Sequence, residues 1–438
     1  MENIIPLNGR IAIVDDSVKQ ALPLMRVLAK NNIPYTYYQG NNFECLPESP
    51  ENDIRILFLD LNLLEGRNQT PKDVRSILVP VLKRLLSPEN YPYVLILWSR
   101  QEQEYTDTIK DIFDQDLKDR APIVIKPYVK SEFFPDFAEE EDETKDEQII
   151  LDELKKILAE LPAYSYLLQW ENQVHNSADE TIGDIFRDFH SCENWKENAN
   201  CILEMLAKSY LEQSYENVTL ETKTKASLLL LNDVLYDCLE NGINNNLFGC
   251  TEELTHNISD KEADTIACKI NHRLLLSNNI DDIKQPGCVF KYFSSKKYKA
   301  HFEEILKDSC NCSDEEKKNM IETMIPCEVV VTPACDYAQK KSKTNRLVQG
   351  FLIESKHVIG KKKKIKNIDN RTDAIYISPV FEHKNKHYVL VLNFRYFVTD
   401  EMATEKKNYP LFRLRGSMLA EIQSKLARHI SRQGIRNL

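Results

Sequence analysis

The chain has 438 residues, 42% of them hydrophobic and 9% aromatic, with only 11 glycines and 18 prolines. This excludes a disordered, collagen-like or low-complexity protein and leaves room for two or three domains with cores of their own. The net charge of −11 hides an asymmetry, because residues 1–270 carry 26 basic and 49 acidic side chains whereas residues 271–438 carry 31 and 19. The two parts therefore differ in role or attract each other.

No apolar run reaches the length of a membrane span, and the amino terminus lacks a basic region ahead of an apolar core. The expectation is a cytoplasmic protein, with no membrane partner, whose 11 cysteines are reduced. Cys310 and Cys312, one residue apart, with Cys327 and Cys335 downstream, lack zinc-knuckle spacing and read as buried or incidental thiols.

From residue 10 onward short apolar runs alternate with helical patterns. "RIAIVDD" reads as a strand, "VKQALPLMRVLAKNN" as an amphipathic helix, "YTYYQG" as a weaker strand and "RILFLDL" as a strand apolar enough to be covered on both faces. "DVRSILVPVLKRLL" reads as a helix, "YVLILWS" as a strand, "EYTDTIKDIFDQDL" as a helix and "PIVIKP" as a fifth strand. This alternation predicts an α/β unit, a flavodoxin-like doubly wound parallel sheet of five strands. An acidic run, "DFAEEEDETKDE", then reads as a linker or the frayed start of a helix.

A helical middle region follows, marked by "ILDELKKILAEL", by the apolar face of "KASLLLLNDVLYDCLENG" closing on Gly242, and by capping-box patterns at Ser177/Glu180, Ser259/Glu262 and Ser313/Glu316. After residue 325, "CEVVVTP", "LVQGFLIES", "AIYISPVFE" and "HYVLVLNFRYF" read as strands, with a hairpin turn near Lys384, Asn385 and Lys386. "GSMLAEIQSKLARHISRQG" predicts a closing amphipathic helix with Leu419, Ile422, Leu426 and Ile430 on one face and Gly434 beyond its end. The expected division is residues 1–137 as the α/β domain, 138–325 as the helical region and 326–438 as a basic α+β domain, in the form of a small barrel with a closing helix.

Chemistry collects at the strand ends of the first segment. Strand one ends in Asp15 and Asp16, strand three in Asp60, strand four in Ser99 and strand five in Lys126, and in a parallel sheet these ends share one edge. An isolated strand-terminal Asp60 more often caps a turn. Crowded carboxylates raise one another's pKa or recruit a cation, and Mg²⁺ suits this donor set. With a hydroxyl and an ammonium nearby, the parts fit phosphoryl transfer to an aspartate nucleophile.

The pieces "IVDDS", "LFLDLN", "LILWSR" and "VIKPY", in this order and each at a strand end, resemble the receiver domain of two-component response regulators. The resemblance implies Asp60 as phosphoacceptor, Asp15 and Asp16 as the acidic pair organising Mg²⁺, the backbone carbonyl of Asn62 as a further metal ligand, Ser99 as the hydroxyl that follows the phosphoryl group, and Lys126 as its ammonium partner, aimed by a cis Lys126–Pro127 bond. Four departures from the family stand out: Leu64 replaces the usual proline, Gly66 arrives early, the interval from Asp60 to Ser99 is long, and Ile123 replaces the aromatic switch residue.

A partner histidine kinase follows as phosphodonor, with a second regulator or an effector as recipient of the signal. A receiver-gated effector enzyme, a nucleic-acid-binding role for the basic carboxyl-terminal domain, and a degenerate receiver that only binds a partner stay open beside it. "GKKKKIKN" reads as a solvated loop, and Cys335 beside Asp336, with His357, His383 or His387 as base, reads as structural because a carboxylate raises a thiol's pKa. The carboxyl-terminal part resembles an uncharacterised domain of bacterial proteins, some linked to anti-phage defence, which implies no activity.

Overall fold

A computed structural model of the protein describes residues 5–6, 9–61, 63, 70–99, 105–130, 146–187, 194–245, 257–280, 282–291, 296–338, 344–360, 363–369, 372–400 and 409–431. The chain divides into two compact units, Met1–Cys192 with Leu231–Leu254 and Glu193–Leu230 with Thr255–Leu438. The first holds 20 basic and 40 acidic residues and the second 37 and 28.

The first unit is built on β1 (Ile11–Asp15), β2 (Tyr35–Gln39), β3 (Ile56–Leu59), β4 (Val94–Ser99) and β5 (Val124–Val129), all parallel, in the order β2-β1-β3-β4-β5. The expected α/β class and strand assignments hold. Alternation along the strands sends Ala12, Val14, Leu57 and Leu59 toward α2 (Pro71–Leu85) and α3 (Thr106–Gln115), where Leu78, Val81, Ile109 and Ile112 meet them. Ile11, Ile13, Phe58, Ile96 and Trp98 lie in the opposite core with Leu24 and Leu28 of α1 (Val18–Lys30). Between β2 and β3 the connection carries a single 3₁₀ turn, Phe43–Cys45.

This core extends past residue 137. Ile150, Leu154 and Ile157 of α4 (Asp146–Ala159) and Tyr164 and Leu168 of α5 (Pro162–Phe186) belong to it. Polar contacts fix α5 as well: Arg55 donates from Nε and Nη2 to Glu171 at 3.0 and 2.9 Å, Arg10 reaches the same carboxylate at 3.3 Å, and the Tyr164 hydroxyl donates to the Arg55 carbonyl at 2.6 Å. The expected cap at Ser177/Glu180 is corrected. Pro162 starts this helix fifteen residues earlier, and Ser177 is a buried interior residue whose hydroxyl accepts from Gln173 and whose carbonyl accepts from Thr181. The boxes at Ser259/Glu262 and Ser313/Glu316 form as expected, and another forms at Thr70/Asp73.

Within the second unit are α6 (Trp195–Leu211), α8 (Asp260–Leu275), α9 (Lys296–Ser309), α10 (Asp314–Thr323), α11 (Ala334–Ala338), α12 (Ser355–Val358) and α13 (Gly416–Ile430); α7 (Leu220–Asn245) runs through both units. Its strands are β6 (Leu276–Ser277), β7 (Cys288–Lys291), β8 (Ile325–Val330), β9 (Asn345–Glu354), β10 (Ile375–Ile377), β11 (Phe381–His383), β12 (Lys386–Asp400) and β13 (Tyr409–Leu414). They form an antiparallel sheet in the order β10-β12-β9-β8-β7-β13-β6, with β11 on β12. This is an open path rather than the expected barrel, and β6 and β7 come from the segment expected to be helical.

One face of this sheet packs on Phe302, Ile305 and Leu306 of α9 and Met320 of α10, the other on Met418, Leu419, Ile422 and Leu426 of α13. Ile430 is exposed, so the apolar stripe of α13 stops a turn earlier than expected, and Gly434 lies outside the described residues. At Gly350 a Cβ would stand 2.0 Å from the Val391 carbonyl oxygen, so only glycine lets β9 and β12 approach there. The β11–β12 turn forms where expected, through Lys384 and Asn385 in the left-handed region at φ +50° and +62°. Among the described residues no helix is long and apolar enough to cross a membrane.

Candidate functional site

The strand order places the first crossovers on opposite sides of β1, toward β2 and toward β3, and open α/β sheets bind ligands at the carboxyl ends of strands beside such a reversal. Asp15 ends β1 and Asp60 follows β3. Parallel pairing of Val14 with Leu59 sets them side by side, and the Asp60 N–H donates to the Val14 carbonyl at 2.8 Å. Asp16 completes the group, and oxygens of all three carboxylates lie within 4.8 Å of one another. All three are buried, Asp15 at 0% and Asp60 at 2% exposure.

The ammonium that meets them belongs to Lys130. Its Nζ donates to Asp15 Oδ2 at 2.6 Å, to Asp60 Oδ2 at 2.7 Å and to Gln20 Oε1 at 3.3 Å. Lys126, expected in this place, pairs instead with Glu160 at 2.6 Å on the part-exposed α4 side of the sheet. The reason is register. β5 does not stop at Lys126 but continues to Val129, which pairs with Ser99, whereas Lys126 stands mid-strand beside Ile96. Lys126–Pro127 is not cis; the cis bond among the described residues is Tyr91–Pro92. Ser99 ends β4 at the expected edge, and Asn62 lies outside the described residues.

Hydrogen bonds to its carboxylate and its carbonyl hold Asp15 in place. The Ser17 N–H donates to Asp15 Oδ1 at 3.0 Å, and the Tyr37 hydroxyl and Gly40 N–H each donate to the Asp15 carbonyl at 3.0 Å. Burial pushes the Asp15 carboxyl above the usual carboxylate range; Lys130 opposes this shift and the neighbouring charge of Asp60 reinforces it. Burial and the same carboxylates push the Tyr37 phenol up to about 12, so it is neutral and a donor at pH 7.

Three buried, clustered carboxylates are a hard, all-oxygen donor set that can hold a metal ion. A second group, Glu180, Asp184 and Cys238, has the reach for an ion, but both carboxylates are exposed and solvated. Cys335, read from the sequence as structural rather than as a nucleophile, is exposed and donates to Asp336 at 3.8 Å, while His383 packs between the rings of Tyr388 and Phe412. In the basic loop Lys363 pairs with Asp264 at 2.6 Å.

No protein-family model and no curated protein matches this chain. The five-stranded parallel sheet and its acidic group are compatible with a receiver domain.

Proposed function

We propose that this protein is a signalling protein of the response-regulator type, in which Asp60 accepts a phosphoryl group from a partner histidine kinase. The observation that carries the reading is the buried group of Asp15, Asp16, Asp60 and Lys130 at the carboxyl ends of β1, β3 and β5. A carboxylate oxygen of Asp60 attacks the phosphorus of a phosphohistidine whose other ring nitrogen is protonated, the P–N bond breaks, its electron pair goes to the nitrogen, and neutral imidazole leaves. Lys130 then serves a phosphoryl oxygen in place of the Asp60 oxygen it now holds, and the Ser99 hydroxyl donates to another. Mg²⁺ is the cation we assign to the three carboxylates, where it would neutralise charge on the transferring group. The added charge at the strand ends is the signal, which passes to an effector or serves as a phosphate reservoir competing with a second regulator.

The deep burial of Asp60 supports a second reading, a receiver that folds around the ion pair and acts only as an interaction module. Intact mass after incubation with acetyl phosphate and Mg²⁺ separates the two. A phosphoryl adduct on the wild type and none on Asp60→Asn supports phosphoryl acceptance; equal adducts on both would overturn the assignment of Asp60, and no adduct with either acetyl phosphate or a histidine kinase would favour the interaction module.

A further inference from the structure

We propose that Glu180, Asp184 and Cys238 form a binding site for Zn²⁺ between α5 and α7. All three residues belong to the first unit, and one oxygen of each carboxylate lies within 4.8 Å of the other and of the Cys238 sulfur. Helix spacing and a close approach of the two helices bring them together. Glu180 and Asp184 stand one turn apart on α5 and share a face. A Cβ at Gly242 of α7 would stand 1.9 Å from Gln173 Nε2, so the helices meet there. Cys238 precedes Gly242 by one turn and Glu180 follows Gln173 by two, so the helices run antiparallel and carry the thiol to the carboxylates.

The buried thiol is the observation that points to a ligand. Cys238 is 7% exposed and free of any disulfide, its sulfur faces the two carboxylates, and among the described residues it has no hydrogen-bond partner. Among the same residues Glu180 and Asp184 have no ion-pair partner. Their placement is unfavourable without a cation. Like charges one turn apart repel, and both stand in the last two turns of α5, at the negative end of the helix dipole, where the last turn holds no basic residue. A divalent cation offsets both effects and gives the sulfur a partner.

The donor atoms select the metal. Mg²⁺ and Ca²⁺ take oxygen ligands, as the group of Asp15, Asp16 and Asp60 would supply, whereas Zn²⁺ takes thiolate and carboxylate together. On binding, the Cys238 S–H bond breaks, the sulfur keeps the electron pair and bonds to the ion, and the proton passes to solvent. Both carboxylates are exposed, which leaves a fourth position to water, as in zinc sites that bind or activate a ligand. The bound ion would also tie the second half of α7 to α5.

The test uses the full chain, reduced, freed of metal with a chelator and titrated with Co²⁺ as a spectroscopic stand-in for Zn²⁺. A bound thiolate gives a near-ultraviolet sulfur-to-cobalt charge-transfer band, which the all-oxygen group of Asp15, Asp16 and Asp60 cannot give. The expected result is this band in the wild type and in Asp60→Asn, bleached by Zn²⁺ and untouched by excess Mg²⁺. Cys238→Ser should abolish it. Glu180→Gln and Asp184→Asn should each weaken Co²⁺ binding, read from the band, by at least about tenfold, the loss that removal of even an outer partner brings. Circular dichroism establishes that each variant is folded, and the two carboxylates are exposed, so their variants test the site even if Cys238→Ser fails to fold. No thiolate band in the wild type, a band that survives in Cys238→Ser, or unchanged affinity in both carboxylate variants would overturn the proposal.

Discussion

The two units use the same chemical pairing, carboxylate with ammonium, in opposite settings. In the parallel unit Asp15, Asp60 and Lys130 are withdrawn from water, with side-chain exposures of 0%, 3% and 7%. In the antiparallel unit Glu354 meets Lys356 and Lys386 through ammonium groups on lysines 64% and 60% exposed. Exposed pairs contribute little, while buried charges carry a desolvation penalty that their attraction often fails to offset. A cluster of charge kept in a buried place is poorly explained by stability and well explained by chemistry, whereas the rim pairs of the second unit only dress a hairpin.

The largest test of that contrast is Lys130→Ala, which leaves two buried carboxylates facing each other. Denaturant unfolding should show a loss of about 3–5 kcal/mol, and added Mg²⁺ should restore part of it. Lys126→Ala removes a partly exposed pair and should cost about 0–1 kcal/mol; equal losses for the two lysines would break the comparison. Glu171→Ala strands Arg10 and Arg55 at the α5 contact and should fall between them, at about 2 kcal/mol, with faster amide exchange along α5. Glu354→Gln should cost about 0–1 kcal/mol at pH 7.

Acid should separate the regions by sign. Asp15 has a folded pKa above its unfolded value of 3.8, so the stability it contributes is fully present below pH 3.8 and is lost as pH rises through the folded value. The lysines hold the Glu354 carboxyl down to about 2 against 4.5, so its contribution is present above pH 4.5 and is lost as pH falls toward 2. Amide exchange should therefore quicken modestly at the β11–β12 hairpin between pH 5 and 2 while the carboxyl ends of β1 and β3 stay protected; early loss at β1 would contradict this assignment of the shifts.

Much of the parallel unit was legible because its signal is local. Four apolar residues before Asp60, and Ile11 to Val14 before Asp15, can be read as buried strands without knowing their neighbours. Lys130 was not legible in the same way, since the end of β5 depends on its pairing with β4. Matching the lengths of the two strands would have found it, because six residues counted from Val124 end at Val129, level with Ser99. In the second unit Leu276–Ser277 and Cys288–Lys291 are too short to announce themselves and become strands only through β13 and β8. Ser177 and Glu180 misled because a capping box is a local pattern, whereas the start of α5 was fixed by Pro162 and its burial by packing.

The most direct test of the central claim is chemical trapping of the acceptor. After treatment with acetyl phosphate and Mg²⁺, borohydride reduction of an acyl phosphate converts the phosphorylated aspartate to homoserine, which peptide sequencing by mass can locate. Homoserine at position 60, dependent on Mg²⁺ and absent from Asp60→Asn, is the predicted result. Homoserine at another carboxylate, or an undiminished yield in Asp60→Asn, would contradict it.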